Sequence, residues 1–349
     1  MLRKWITATL IIILFLSGCS NHKEVVKEHS EKQVDGVEKG KIENYPYSYP
    51  LTGIGSREEP TDRAYAVMIN NHPKARPQSG LDKADIIYEV LAEGNVTRFL
   101  AIFQSEQADN IGPVRSARDY YIELAKGYDA LYIAHGYSPE AKEMLENGYI
   151  DNINGMHYDG TWFKRSSTRV APHNSYITSE NILKGADKLG YDMKEEPSTL
   201  SFLKDDEVKE LTGQDAQSVS IKYSSNDQFN VIYEYDSDLQ KFKRYSDGEL
   251  TIDLESEEPV LLDNIFIVET DHNVIDDKGR RDVDLLSGGN AYLLQKGKWK
   301  EIEWRNIDGR ILPYSNGEVV GFVPGKTWIN IIPSKPGLKS AVSFNAEQS

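Results

Sequence analysis

One cysteine, Cys19, stands in 349 residues. An internal disulfide is therefore excluded, and the fold must hold through its core. A cysteine nucleophile in the folded body is excluded too, and with it a wall cross-linking enzyme of the cysteine type. Positive charge is also short: 40 Lys and Arg face 55 Asp and Glu, a net −15. Bulk binding to nucleic acid needs a positive surface, as does lying flat on an anionic bilayer. Nucleic acid is not an expected partner. No G-x-S-x-G elbow and no H-E-x-x-H occur, and the histidines are too scattered for a metal set. Asp276-Asp277-Lys278-Gly279-Arg280 reads as a turn, short of a full calcium loop. No metal and no cofactor are expected. The apolar run from Ile6 to Leu16 is eleven residues, where a membrane-spanning helix takes about 20.

That run has a basic start, Arg3-Lys4, and ends in Leu16-Ser17-Gly18-Cys19. The order is that of an export signal. Its close resembles the lipobox of bacterial lipoproteins. The resemblance implies cleavage after residue 18 and acylation of Cys19 by palmitate-type chains. It places the protein on the extracytoplasmic face of the cell membrane, with the membrane as partner through the lipid on Cys19. Loss of Arg3 and Lys4 leaves 38 basic against 55 acidic residues, a balance of −17. Each buried CH₂ of a lipid chain contributes about 0.8 kcal/mol, and two chains hold where one does not.

Residues 19–54 follow as the lipidated end and a tether. Ser20 to Asn44 mixes charges with few apolar residues, too few to order itself. Tyr45 to Gly53 is richer in Tyr and Pro and is expected to pack. Ala64 to Ile69, Asp85 to Leu91, Arg98 to Gln104 and Ala130 to Ala134 read as strands. Ala117, Tyr120, Tyr121, Leu124, Ala125 and Tyr128 form one helical stripe, which Gly112-Pro113 is expected to open. Ser138-Pro139 caps a second helix, and Thr178 or Ser179 a third. The expected fold class is α+β. A mixed αβ domain covers 55–195, a charged linker 196–217, and a mostly β domain 218–335, with strands at 231–235, 241–245, 265–269, 291–295, 299–304 and 327–332.

Fourteen arginines occur, eight of them between Arg57 and Arg169. On the expected helix, Arg115 and Arg118 share one side of the first turn. Two guanidinium forks beside free helix N–H groups suit a phosphate or a carboxylate. The domain's own carboxylates would fill those forks equally well. A second cluster, Arg165 to Asn174, holds Arg165, Arg169, His173 and Asn174 without hydrophobic period, as a loop does. Arg98 joins these as an anion-binding candidate. His135-Gly136-Tyr137-Ser138 and Asn70-Asn71-His72-Pro73 follow strands, where αβ folds build sites. The four segments could converge on one cleft. Glu89 and Glu93, near a strand end, are candidates by position for a glycoside-cleaving pair.

Ala75-Arg76-Pro77-Gln78-Ser79-Gly80-Leu81, Ala84 to Glu89, Arg98 to Phe103, Ile111 to Arg118, Ala171-Pro172-His173-Asn174 and Gly325 to Ile329 resemble the YerB-type lipoproteins of Gram-positive bacteria. The resemblance spans roughly 55–335. It implies two domains of one family and a place at the envelope, and it lends no activity. The expected role is binding or accessory, through an Arg-rich face toward an anionic wall polymer or an envelope protein. An enzyme on wall polymers and a pure protein-interaction module are the alternatives.

Overall fold

The computed structural model describes residues 45–345. Cys19, the leader and the tether up to residue 44 lie outside them. Strand formation follows from runs such as Tyr65–Asn70 and Thr97–Phe103, in which every residue is buried. Such runs need cover on both faces. Alternate residues supply it: Val67 and Ile69 enter one core, Ala66 and Met68 the other.

The main sheet has twelve strands, eleven of them in one path. From one edge these are Glu318–Val319, Arg310–Ser315, Lys298–Ile307, Gly289–Gln295, Asn264–Thr270, Thr327–Pro333, Ile86–Leu91, Thr97–Phe103, Tyr65–Asn70, Leu131–Ala134 and Asn152–Asn154. Thr327–Pro333 lies between Asn264–Thr270 and Ile86–Leu91 and is parallel to both. The sheet is thus continuous between the two halves of the chain. One face carries helices Asp119–Lys126 and Pro139–Glu146. The other carries helix Ser179–Leu189 and a six-stranded sheet built on Ser218–Ile221, Val231–Asp236, Lys241–Ser246 and Val342–Asn345. The fold is α+β, with a mixed αβ N-terminal region and a mostly β C-terminal one. Val342–Asn345 extends the β region past residue 335.

The segment 196–217 is tied down along its length. Leu200 N–H donates to Pro50 O, Leu203 N–H to Phe322 O, and Gln214–Asp215 pairs with Lys298–Ile307. Residues 45–54 of the expected tether are also placed. Leu51 is fully buried, and Gly325 N–H donates to Thr52 O.

One expectation fails locally. The striped helix starts at Asp119, and Arg118 is its extended N-cap residue (φ −133°, ψ 152°). Residues 111–117 are extended instead, bridging Ile177, Ser79, Ile69 and Tyr137. The reason is that neighbouring chain takes their N–H groups. Val114 donates to Ser175 O, Arg115 to Met68 O and Ala117 to Gly136 O. Arg115 and Arg118 therefore share no helix turn, and no helix N-terminus lies between them.

Candidate anion-binding site

Tyr65–Asn70, Leu131–Ala134 and Asn152–Asn154 are adjacent and parallel. Asn70, His135 and Gly155 therefore lie at the carboxyl ends of three neighbouring strands, where open αβ sheets place ligands. The loop 165–174 folds back over these ends. Arg169 clasps Asn70's loop by donating to the carbonyls of Ala75 and Pro77.

Hydrogen bonds fix the tautomers of all three histidines here. Asn70 Oδ1 accepts from His72 N–H at 3.0 Å, so its amide NH₂ faces His173 Nδ1, at 2.8 Å. His173 Nδ1 is then an acceptor, and its proton sits on Nε2. His72 Nδ1 accepts from Lys74 N–H at 3.1 Å, so its proton is also on Nε2. The two rings touch, with centroids 4.8 Å apart and planes tilted by 31°. His135 is reversed. Arg165 donates to its Nε2 at 3.0 Å, and its Nδ1–H reaches Ser175 Oγ at 2.7 Å. Gly155 makes room for this ring, which lies where a Cβ at 155 would be.

These tautomers decide the chemistry. A serine nucleophile needs a histidine nitrogen that accepts its proton. His135 donates to Ser175, so the pair is no catalytic dyad. A histidine that ligates a metal through Nε2 donates from Nδ1. His72 and His173 do the opposite, and no metal-holding group of side chains occurs among the described residues. What remains is a set of donors.

Arg115 lies among them. Its side chain makes no hydrogen bond or ion pair among the described residues, and its Nε is buried without an acceptor. Burial, then Arg98, pushes its guanidinium pKa down to about 10, so it stays charged at neutral pH. Burial lowers the pKa of each imidazole as well. Lys74, Arg76 and Arg115 add to this at His72; His72, Arg115, Lys74 and Arg169 add to it at His173. At His135, Arg165 and Arg115 lower it further while Asp159 opposes. Arg165 itself is paired with Asp159 at 2.8 Å and donates to Asn174 Oδ1 at 3.1 Å.

The candidates thus divide. Arg115, His173, Arg165, Arg169 and Asn174 gather with His72 and His135 at the strand ends. Arg98 and Arg118 turn away, into Glu93. Arg98 Nη2 is 2.5 Å from Glu93 Oε2, and Arg118 Nη2 bonds Glu93 Oε1. Internal carboxylate does fill those two forks. Glu93 is held by that pairing and Glu89 by Arg244, with Glu89 fully buried. Neither carboxylate is free for glycoside cleavage. Asn70, the residue that sets the tautomer of His173, was visible in the sequence only as part of a strand end. No helix among the described residues is long and apolar enough to cross a membrane.

Two family models match the chain. One is described as a protein of unknown function (DUF3048) N-terminal domain and covers residues 51–192; the other is the DUF3048 C-terminal domain, over 219–329. The chain is 43% identical over 335 residues to a Bacillus subtilis (strain 168) protein named "Putative lipoprotein YerB", covering 95% of this chain and 96% of that one. The crystal structure of YerB protein from Bacillus subtilis matches with a TM-score of 0.79 at 46% identity, over 86% of this chain and all of that one.

Proposed function

The chain belongs to the two-domain DUF3048 family, and from that premise we propose a lipid-anchored protein of the cell envelope that holds an anionic group at the Arg115 cluster. Leu16-Ser17-Gly18-Cys19 and the lipoprotein name of its relative support the anchor. In this reading the acyl chains sit on Cys19 and the body stands on the extracytoplasmic face. The acidic surface keeps that body off an anionic bilayer. One observation carries the anion site. Arg115 is a charged guanidinium without a carboxylate among the described residues, close enough to two imidazoles to lower their pKa values, and the free nitrogens of both are donors. The anion would be displayed by a wall polymer or by an envelope protein. The role is binding rather than turnover, because the histidines are set to donate and to stay neutral.

Two experiments test this. Cys19→Ala should release the protein from the membrane fraction and leave it uncleaved or unanchored. Membrane retention at mature size would refute the anchor. Purified protein should bind wall polymer with salt-sensitive affinity and without consuming it. Release of polymer fragments would favour an enzyme instead.

A further inference from the structure

We propose that the Arg115, His72 and His173 cluster takes the doubly charged tetrahedral oxyanion of a phosphate monoester, held by one guanidinium and two neutral imidazole donors. This rests on the anion-site reading above and adds the charge and shape of the occupant.

Donor count comes first. A planar carboxylate has two oxygens, and one guanidinium fork engages both of them. A phosphoryl group offers three acceptor oxygens. It can occupy the Arg115 fork and still accept from His72 Nε2–H and His173 Nε2–H. Those donors come from three separate segments, and neither imidazole Nε2 has another partner among the described residues.

Charge comes second. Apart from each other, the charged groups acting on the two rings are Lys74, Arg76, Arg115 and Arg169, all cations; Asn70 is a neutral contact of His173, and no carboxylate is among them. Asp159, the acid that acts on His135, is paired with Arg165. A single negative charge leaves this surplus largely uncompensated, and a dianion suits it better.

The protonation state of the rings comes third. To become imidazolium, His173 would have to point Nδ1–H at the Asn70 NH₂, and His72 would have to point its own at Lys74 N–H. Two donors would then face each other at 2.8 Å and 3.1 Å. The amide of Asn70 cannot flip to relieve this, because its Oδ1 holds His72 N–H. The rings therefore donate while neutral, and the ligand must bring its full charge to the site.

Calorimetric titration of full-length protein in neutral detergent tests this with four probes: glycerol 3-phosphate, sulfate, acetate and a glycerol-phosphate polymer of diesters. Glycerol 3-phosphate and sulfate should bind at least tenfold tighter than acetate. Sulfate affinity should stay flat between about pH 6.5 and 8. Glycerol 3-phosphate should tighten as its second proton leaves, near pH 6. The double variant His72→Asn/His173→Asn keeps an acceptor where each Nδ1 stood and removes both Nε2–H donors. It should lose about tenfold for each donor. Vesicles containing phosphatidic acid distinguish a lipid monoester from a soluble one, and binding to either supports the proposal. Equal binding of acetate and glycerol 3-phosphate, tighter binding of the diester polymer, or sulfate affinity climbing steeply toward acid would overturn the phosphate monoester and leave an anion site. Silence with all probes, wall polymer included, would overturn both.

Discussion

Glu89 and Arg244, far apart in the chain, meet as a fully enclosed ion pair, with Arg244 Nη2 2.8 Å from Glu89 Oε2. Glu89 lies on Ile86–Leu91 and Arg244 on Lys241–Ser246, so the pair joins the main sheet to the small one. Thr97, Asn71 and Trp328 also donate to the carboxylate, and Thr251 accepts from the guanidinium. The Arg244 guanidinium lies over the Trp328 ring at 4.6 Å.

Removing one partner leaves the other charged and enclosed, which costs about 3–5 kcal/mol. Glu89→Ala should show this in denaturant unfolding followed by tryptophan fluorescence. Both halves should unfold in one transition, since the pair and the shared sheet bind them. A cost below about 1 kcal/mol, or two separate transitions, would refute this account. Glu89→Leu/Arg244→Met should recover only part of the loss, because Thr97, Asn71 and Trp328 keep donors without an acceptor.

His272 gives a pH prediction. Both ring nitrogens are buried without partners among the described residues, and burial, then Arg281, pushes its pKa down to about 3, with Asp271 opposing. The unfolded chain binds this proton near pH 6.5. Between about 6.5 and 3 the unfolded state holds a proton that the native state lacks, so stability falls as pH falls. The slope for this one group is about 1.4 kcal/mol per pH unit. His272→Leu should flatten the acid limb of a stability curve relative to wild type and leave pH 8 little changed. Parallel curves for the two proteins would disprove the assignment.

Gly155 tests how the site is assembled. A methyl group there would occupy the space of the His135 ring. Gly155→Ala should push the ring off Ser175 and release Arg165 from its Nε2. Overpacking of this kind costs about 1–3 kcal/mol. The expected reading is a lower melting temperature together with several-fold weaker sulfate binding. Unchanged binding would mean that His135 and Arg165 lie outside the site.

The strands were legible because they are short runs of β-branched and aromatic residues between turn residues. The caps at Ser138 and Thr178 were legible because each side-chain oxygen has a local N–H to accept from. What runs carry no record of is partners. Nothing in Thr327–Pro333 says that it pairs with Ile86–Leu91, so the shared sheet was invisible. The stripe from Ala117 to Tyr128 has true helical period, yet its first turn was lost to carbonyls of Met68, Ser175 and Gly136. The same blindness covers arginine. Composition shows that carboxylates abound, and only the fold shows that Glu93 takes Arg98 and Arg118 while Arg115 receives none among the described residues. His72 and His135 stood in segments that strand ends made suspect. The tautomer of His72 follows from a local bond with Lys74 N–H, whereas those of His173 and His135 depend on Asn70 and Arg165, which only tertiary structure brings near.

Arg115 and Arg118 are three residues apart and should behave as opposites. Arg118 is nearly buried and bonded to Glu93, with Arg98 sharing the same carboxylate. Arg118→Ala leaves part of that charge uncompensated. Because Glu93 is partly exposed, the cost should fall at or below the low end of about 3–5 kcal/mol. Melting temperature should drop by several degrees, and sulfate affinity should hold within about twofold once the protein is folded. Arg115 has no partner to lose among the described residues, and its charge is held partly buried at a cost to the fold. Arg115→Gln should therefore melt at or above wild type. Its sulfate affinity should drop at least tenfold, since a charge-assisted bond contributes about 1.5–3 kcal/mol. Thermal melting of both variants, with and without sulfate, reads the two quantities together. An Arg115→Gln protein that melts early yet gains as much stability from sulfate as wild type would make Arg115 structural and remove the centre of the proposed site.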